Sequence, residues 1–270
     1  MTSVSVVATT VEGREELLER SLWCYSKQTL KPEVIVALLR PKTDRTERLV
    51  KAYQDRLDVK YCEVPLTAGK FIDGYGQNKG IVKSTGDVIM VAPGSEVMFE
   101  FDAVRKAVER LDGRDKVCAM LLFIRLSESA TNWLRHNPQW RHDASVLRNL
   151  VTDPINEGAY RNMASFTEDA KQMLRWIEIG ASGTTATYCP VMTRDTWLWM
   201  GGFRTFDTWG TGDGDFVRRR VALGMARVEI VPSVTYHQYH PFQEFGINVQ
   251  PTSYARPEDA IMEMRWEYKE

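Results

Sequence analysis

The sequence predicts an α/β fold built on a mostly parallel, doubly wound sheet, and three observations carry that expectation. Strand-length apolar runs alternate with helical patterns from residue 4 to residue 111. The second strand candidate, Glu33-Val34-Ile35-Val36-Ala37-Leu38, is apolar without alternation, as a strand covered by helices on both faces must be. At 270 residues, 43% hydrophobic and 26% charged, the chain is long enough to bury one full core and has the composition of a globular protein.

The elements follow in order. Val4 to Ala8 is a short β-rich run, and Arg14 to Lys27 then places Leu17, Leu18, Leu22 and Tyr25 at helical spacing. Asp44-Arg45-Thr46-Glu47 has the form of a capping box and opens a helix running to about Leu57. Val59 to Val64 is the next strand, Tyr75 to Ser84 a helix, Val88 to Ala92 a buried strand and Phe101 to Leu111 a helix. Strands at Val117 to Arg125 and Ala186 to Met192 follow. There is no internal repeat and no low-complexity linker. Ligands of such sheets bind at the carboxyl ends of the strands.

Composition narrows the function classes. A net charge of −1 gives no general attraction to nucleic acid or to an anionic membrane. No apolar run of about 18 residues is present, so no membrane span is expected. Met1 to Ala8 lacks the basic start and long apolar stretch of a signal peptide, and a cytoplasmic location is the expectation. Cys24, Cys62, Cys118 and Cys189 are far apart without Cys-x-x-Cys spacing, which reads as buried thiols rather than zinc ligands or disulfides.

The most informative stretch is Gly201-Gly202-Phe203 followed by Trp209-Gly210-Thr211-Gly212-Asp213-Gly214-Asp215-Phe216. It sets two carboxylates on a Gly-rich turn at the start of a helix, where backbone approaches a ligand closely and the first turn favours negative charge. The plain alternative is an N-cap Asp on a Gly-rich turn. The stretch resembles the acceptor-side motif of inverting glycosyltransferases with the GT-A, nucleotide-diphospho-sugar transferase, fold. The resemblance implies that Asp213 is the catalytic base, with Asp215 orienting the helix start or a second acceptor hydroxyl, and that Trp209 and Gly210 face the acceptor.

The N-terminal half resembles family 2 glycosyltransferases in its landmarks. Ser3 to Val7 with Thr9-Thr10 and Arg14-Glu15 matches the opening strand, nucleotide-contacting turn and first helix; Ser21 to Thr29 with Glu33 to Val36 matches the helix end and second strand. Gln77-Asn78-Lys79-Gly80-Ile81 and Thr85-Gly86-Asp87-Val88-Ile89 match the later helix and the start of the fourth strand. The resemblance covers roughly residues 3–111 and 183–240. It implies one domain over 1–270, with a nucleotide-binding half at 1–112 and an acceptor-binding half at 113–270 carrying an insertion at 126–182. Thr9, Arg40, Lys70, Asn78 and Ser95 are the expected nucleotide-sugar contacts.

Two departures matter. Where the family carries Asp-x-Asp to hold a divalent metal, this chain has Pro93-Gly94-Ser95 followed by Glu96. Either Glu96 supplies the carboxylate and, with His240 or His237, holds Mn²⁺ or Mg²⁺, or Lys70 and Arg40 neutralise the diphosphate without metal; a solvated Glu96 beside packed histidines is the third reading. Where the family often has an Asp pair that reads uracil, this chain has Leu38-Leu39-Arg40, which leaves the donor base open.

The insertion carries Trp133-Leu134-Arg135-His136-Asn137-Pro138-Gln139-Trp140-Arg141-His142. Trp faces stack on sugars and bases, so Trp140 and Arg141 are the acceptor candidates; burial of both Trp residues is the alternative. Arg218-Arg219-Arg220 points in three directions on a helix and reads as a solvated face. The reading is transfer of a sugar from a nucleotide-sugar donor to a hydroxyl acceptor, a glycan or other hydroxyl compound, with modified nucleic acid a further class. The alternatives are a catalytically inactive GT-A-like domain that binds a glycan or a partner, and a nucleotidyltransferase.

Overall fold

The computed structural model describes residues 2–39, 44–64, 73–142, 146–147, 189–204, 211–225 and 228–240. The chain runs β1 (Val4–Thr10), α1 (Glu15–Ser26), β2 (Glu33–Leu38), α2 (Asp44–Tyr53), β3 (Val59–Glu63), α3 (Asp73–Lys83), β4 (Val88–Ala92), β5 (Val97–Phe99), α4 (Ala103–Leu111), β6 (Cys118–Arg125), α5 (Glu128–His136), a 3₁₀ turn (Pro138–Arg141), β7 (Pro190–Thr193), α6 (Arg194–Met200), α7 (Thr211–Ala222) and β8 (Val228–His237). The described strands form one eight-stranded sheet in the order β3-β2-β1-β4-β7-β6-β8-β5.

The pairs β1·β2, β2·β3, β1·β4 and β6·β8 are parallel, while β7 and β5 enter antiparallel. The first half is therefore the parallel sheet the alternation predicts, and the second half is mixed. Strands β1, β2 and β4 are buried along their whole length. Successive side chains point to opposite faces, so Val6, Val34 and Met90 meet Leu18, Leu22 and Tyr25 of α1 on one side. On the other, Val7, Ile35 and Ile89 meet Ile81 of α3, Trp197 of α6 and Phe216 of α7.

Helix α3 lies unusually close to the sheet. A Cβ on Gly80 would stand 2.3 Å from Val7 Cγ1, and one on Gly76 2.2 Å from Leu39 Cδ2. The four-residue spacing of these glycines puts both on the sheet-facing side of the helix. The start of α4 is capped from afar: Val104 N–H donates to Gln28 Oε1 at 3.1 Å. In α2, Asp44 is the first helical residue and Glu47 pairs with Lys51 at 3.0 Å.

The four cysteines are buried and free. Among the described residues no helix is long and apolar enough to cross a membrane.

At the amino edge of the sheet one carboxylate joins three segments. Glu33, at the start of β2, accepts from Ser5 Oγ of β1, from Lys60 Nζ of β3, and from Thr85 N at 2.6 Å and Thr85 Oγ1 at 3.1 Å. Burial pushes its pKa up, but the bonds from Lys60, Ser5 and Thr85 outweigh that and hold it below the usual carboxylate range. A carboxyl with a depressed folded-state pKa contributes stability that is fully present above its unfolded pKa and is lost as pH falls through the folded one. An amide keeps only one acceptor oxygen for these donors. Glu33→Gln is therefore expected to lower stability by about 1–3 kcal/mol at pH 7, and urea titration should show the difference between the two proteins shrinking below about pH 4.

Candidate active site

At the opposite, carboxyl edge, the ends of β1, β4 and β8 converge. After β4 the chain turns through Pro93-Gly94-Ser95-Glu96 and enters β5. Thr9 Oγ1 donates to Pro93 O at 3.2 Å and Thr10 Oγ1 to Ser95 Oγ at 2.9 Å, so the two threonines at the end of β1 set the path of this turn. A Cβ on Gly94 would fall 2.3–2.5 Å from the Glu96 carboxylate. Only a residue without a side chain lets Glu96 fold back over the turn.

Four polar side chains meet there. Arg14 Nη1 donates to Glu96 Oε2 at 3.0 Å, and Arg14 Nη2 lies 3.3 Å from His240 Nδ1. His237 Nε2 and His240 Nε2 lie 3.3 Å and 3.5 Å from Glu96 Oε1. Burial raises the pKa of Glu96, which is 5% exposed, yet hydrogen bonds from His237 and His240, with the adjacent charges of His237 when protonated and of Arg14, hold it well below the usual range. Glu96, His237 and His240 offer one oxygen and two nitrogens within 4.8 Å of one another.

The sequence pointed to Glu96 and the histidines but gave Arg14 no role. His237 closes β8, and His240 follows three residues later. Arg14 follows Gly13, whose φ of 87° turns the chain back from β1, and it caps α1 with backbone alone, leaving its side chain for Glu96. A basic residue directly after a Gly turn that follows the first strand was the available signal.

The other candidates separate. Thr9 and Ser95 line the turn as described. Asn78 is buried and donates from Nδ2 to Phe203 O at 2.7 Å while its Oδ1 accepts from Phe203 N at 2.8 Å, so its amide pins the Gly201-Gly202-Phe203 loop to α3. Asp213 is the third residue of α7, but its side chain, with Arg40, Lys70, Trp209 and Gly210, lies outside the described residues.

Two acceptor expectations are corrected. Trp140 is 1% exposed, packed with Cys24, Met98 and Tyr236, and its Nε1 donates to Leu134 O at 3.0 Å. Neither face of its indole is open for stacking, because the insertion's α5 and 3₁₀ turn need an apolar anchor on α1 and β8. Arg141 bonds Glu19 Oε2 at 2.7 Å and lies over Trp23 and Trp140, fastening the same segment.

The solvated reading of the triple arginine is corrected as well: Arg218 is exposed, but Arg219 and Arg220 turn inward. Arg219 Nε donates to Asp215 Oδ2 at 2.7 Å, and its Nη groups donate to Met200 O at 2.8 Å and Gly202 O at 2.7 Å. Asp215 Oδ1 accepts from Arg204 at 3.1 Å. Both Asp215 oxygens are engaged and the residue is 5% exposed, so it orients α7 against the Gly-Gly-Phe loop. Asp215→Asn is expected to destabilise the fold by about 3–5 kcal/mol, the typical effect of breaking a buried pair; a denaturant melt unchanged from wild type would remove it from the framework.

No protein-family model and no curated protein matches the chain by sequence. Solved structures do. S. aureus TarS 1-349 in complex with UDP-GlcNAc superposes with a TM-score of 0.60 at 16% identity, covering 98% of this chain and 66% of that one. A longer S. aureus TarS chain gives 0.58 at 15% identity, covering 89% of this chain and 37% of that one. The mannosyltransferase PcManGT from Pyrobaculum calidifontis, in complex with GDP-Man and Mn²⁺, gives 0.52 at 17% identity, covering 87% of this chain and 56% of that one. This chain thus spans about two thirds or less of each of these relatives. At such identity the likeness is one of architecture: the chain has a GT-A-like glycosyltransferase fold.

Proposed function

We propose that this protein moves a sugar from a nucleotide-sugar donor to a hydroxyl acceptor with inversion at the anomeric carbon. The observation that carries the reading is the cluster of Arg14, Glu96, His237 and His240 at the carboxyl ends of β1, β4 and β8, the edge at which open α/β sheets take their ligands. It is supported by similar folds recorded with UDP-GlcNAc, UDP and GDP-Man.

Charge develops on the departing diphosphate, and positive charge placed in advance stabilises it. Arg14 is a described cation at this edge, held half in the site by Glu96. The donor set of Glu96, His237 and His240 also fits a divalent metal, and its two nitrogens favour a transition-metal ion over Mg²⁺. Those three residues would hold the ion, which when bound supplies Lewis-acid neutralisation of the diphosphate. Thr9 and Ser95 shape the floor on which the donor rests, and Asn78 acts at one remove by fixing the loop that precedes Asp213. Asp213, in the first turn of α7, takes the proton of the acceptor hydroxyl as it attacks. The proposed acceptor is a glycan or other hydroxyl compound.

Asp213→Asn is expected to lower transfer by about 10²–10⁴-fold while leaving the melting curve unchanged. Near-wild-type turnover would take Asp213 out of the mechanism, and NMR of the product's anomeric proton would test inversion separately. A panel including UDP-GlcNAc and GDP-mannose, assayed with Mn²⁺, Mg²⁺ or chelator, identifies the donor and the metal; if none is consumed, the fold serves binding alone.

Gly94→Ala provides a second test. Gly94 does not have a positive φ, so the added methyl strains little backbone, but it occupies the space of the Glu96 carboxylate. The variant is expected to fold with a stability loss of about 1–3 kcal/mol and to lose Mn²⁺ binding and turnover together. Retained Mn²⁺ binding would show that Glu96 is not a ligand.

A further inference from the structure

The hydrogen bonds around Glu96 impose a condition on its neighbours. A guanidinium only donates, so His240 Nδ1, 3.3 Å from Arg14 Nη2, must accept. A neutral imidazole has one N–H, and here it is therefore on Nε2, where it points at Glu96 Oε1 at 3.5 Å. That tautomer is the one in which Nε2 has no lone pair for a metal. Arg14 also covers the second oxygen, Oε2.

We infer that Arg14 is a resident counter-cation that bars His240 and the second oxygen of Glu96 from metal until it is displaced, an inference that rests on the metal reading of Glu96, His237 and His240. For Nε2 to ligate, the proton of His240 must move to Nδ1, where it would face an Arg14 N–H. Two donors cannot share that contact, and a divalent ion beside a guanidinium adds like-charge repulsion. Arg14 therefore leaves as the site is occupied.

A second observation is compatible with that movement. Arg14 Nε is buried with no hydrogen-bond partner, an unmet donor that burial makes unfavourable. Movement toward the edge, where a donor's phosphate oxygens would lie, offers that N–H an acceptor. Metal loading is thereby favoured when an anion is present to receive the arginine.

The test is Mn²⁺ titration of the wild-type chain and of Arg14→Met, which keeps length and removes every donor. Calorimetry at one pH should show the variant binding Mn²⁺ about tenfold or more tightly, the scale expected for removing one charge-assisted competitor. Equal or weaker binding by Arg14→Met overturns the inference and leaves the metal site standing. Absence of Mn²⁺ binding in both proteins overturns the metal reading and the inference with it. A measurement on the wild type alone covers a variant that fails to fold. Long-range ¹H–¹⁵N spectra of the histidine-labelled, metal-free protein should show His240 protonated on Nε2, and an Nδ1–H signal there overturns the inference irrespective of any titration.

Discussion

The candidate site depends on one buried carboxamide. Gln238, directly after β8, is fully buried, and both its backbone N–H and its Nε2 donate to Glu96 O at 3.1 Å. Its Nε2 also donates to Leu17 O at 3.1 Å, and its Oε1 accepts from Arg20 Nε. One side chain thus ties the turn after β4, the end of β8 and the middle of α1 to a common point. The parallel register of β6 with β8 brings β8 to this edge, and the antiparallel register of β5 with β8 sets His237 opposite Val97, beside Glu96; His240 lies past the end of β8, beyond the Gln238 anchor. A buried amide whose donors and acceptor are all used leaves little freedom, and the spacing of the ligand atoms follows from that.

Arg20 shows how the anchor is itself held. It is 3% exposed, and its Nη1 bonds Glu16 Oε1 at 2.6 Å. Glu16 in turn takes two bonds from Arg135 of α5, at 2.6 Å and 2.7 Å. The hydrogen bond from Arg135, outweighing burial and joined by Arg20, brings the pKa of Glu16 down to about 2. The insertion's helix is thus coupled through charged groups to the residue that holds Gln238. Its chemical role is to brace α1, which explains why Trp140 and Arg141 are spent on packing.

Two carboxylate clusters of similar composition do different work, for a physical reason. Asp215 faces two arginines, of which Arg219 is also satisfied by the carbonyls of Met200 and Gly202. That arrangement joins a carboxylate to guanidiniums, which only donate. Glu96 faces an arginine and two imidazoles, whose protons can change position. A cluster that contains imidazoles can respond to a ligand by moving a proton, whereas one of a carboxylate and guanidiniums holds shape.

The sequence by itself determined the sheet's first half, because uninterrupted apolar strands between amphipathic helices have few other ways to bury their faces. It also singled out Glu96 and His240 through the missing Asp-x-Asp, and the Gly-rich start of α7 through spacing. It did not distinguish Trp140 as core from Trp140 as a binding surface, since an indole looks the same in either role until its neighbours are known. Nor did it show that Asp215 is held by Arg204 and Arg219, or mark Arg14, which lies 82 positions from its partner Glu96 and 226 from His240. Those distinctions were decided by the tertiary structure alone, because burial and hydrogen-bond partnership are properties of the space between segments, and local pattern carries no record of which distant segment will fill it.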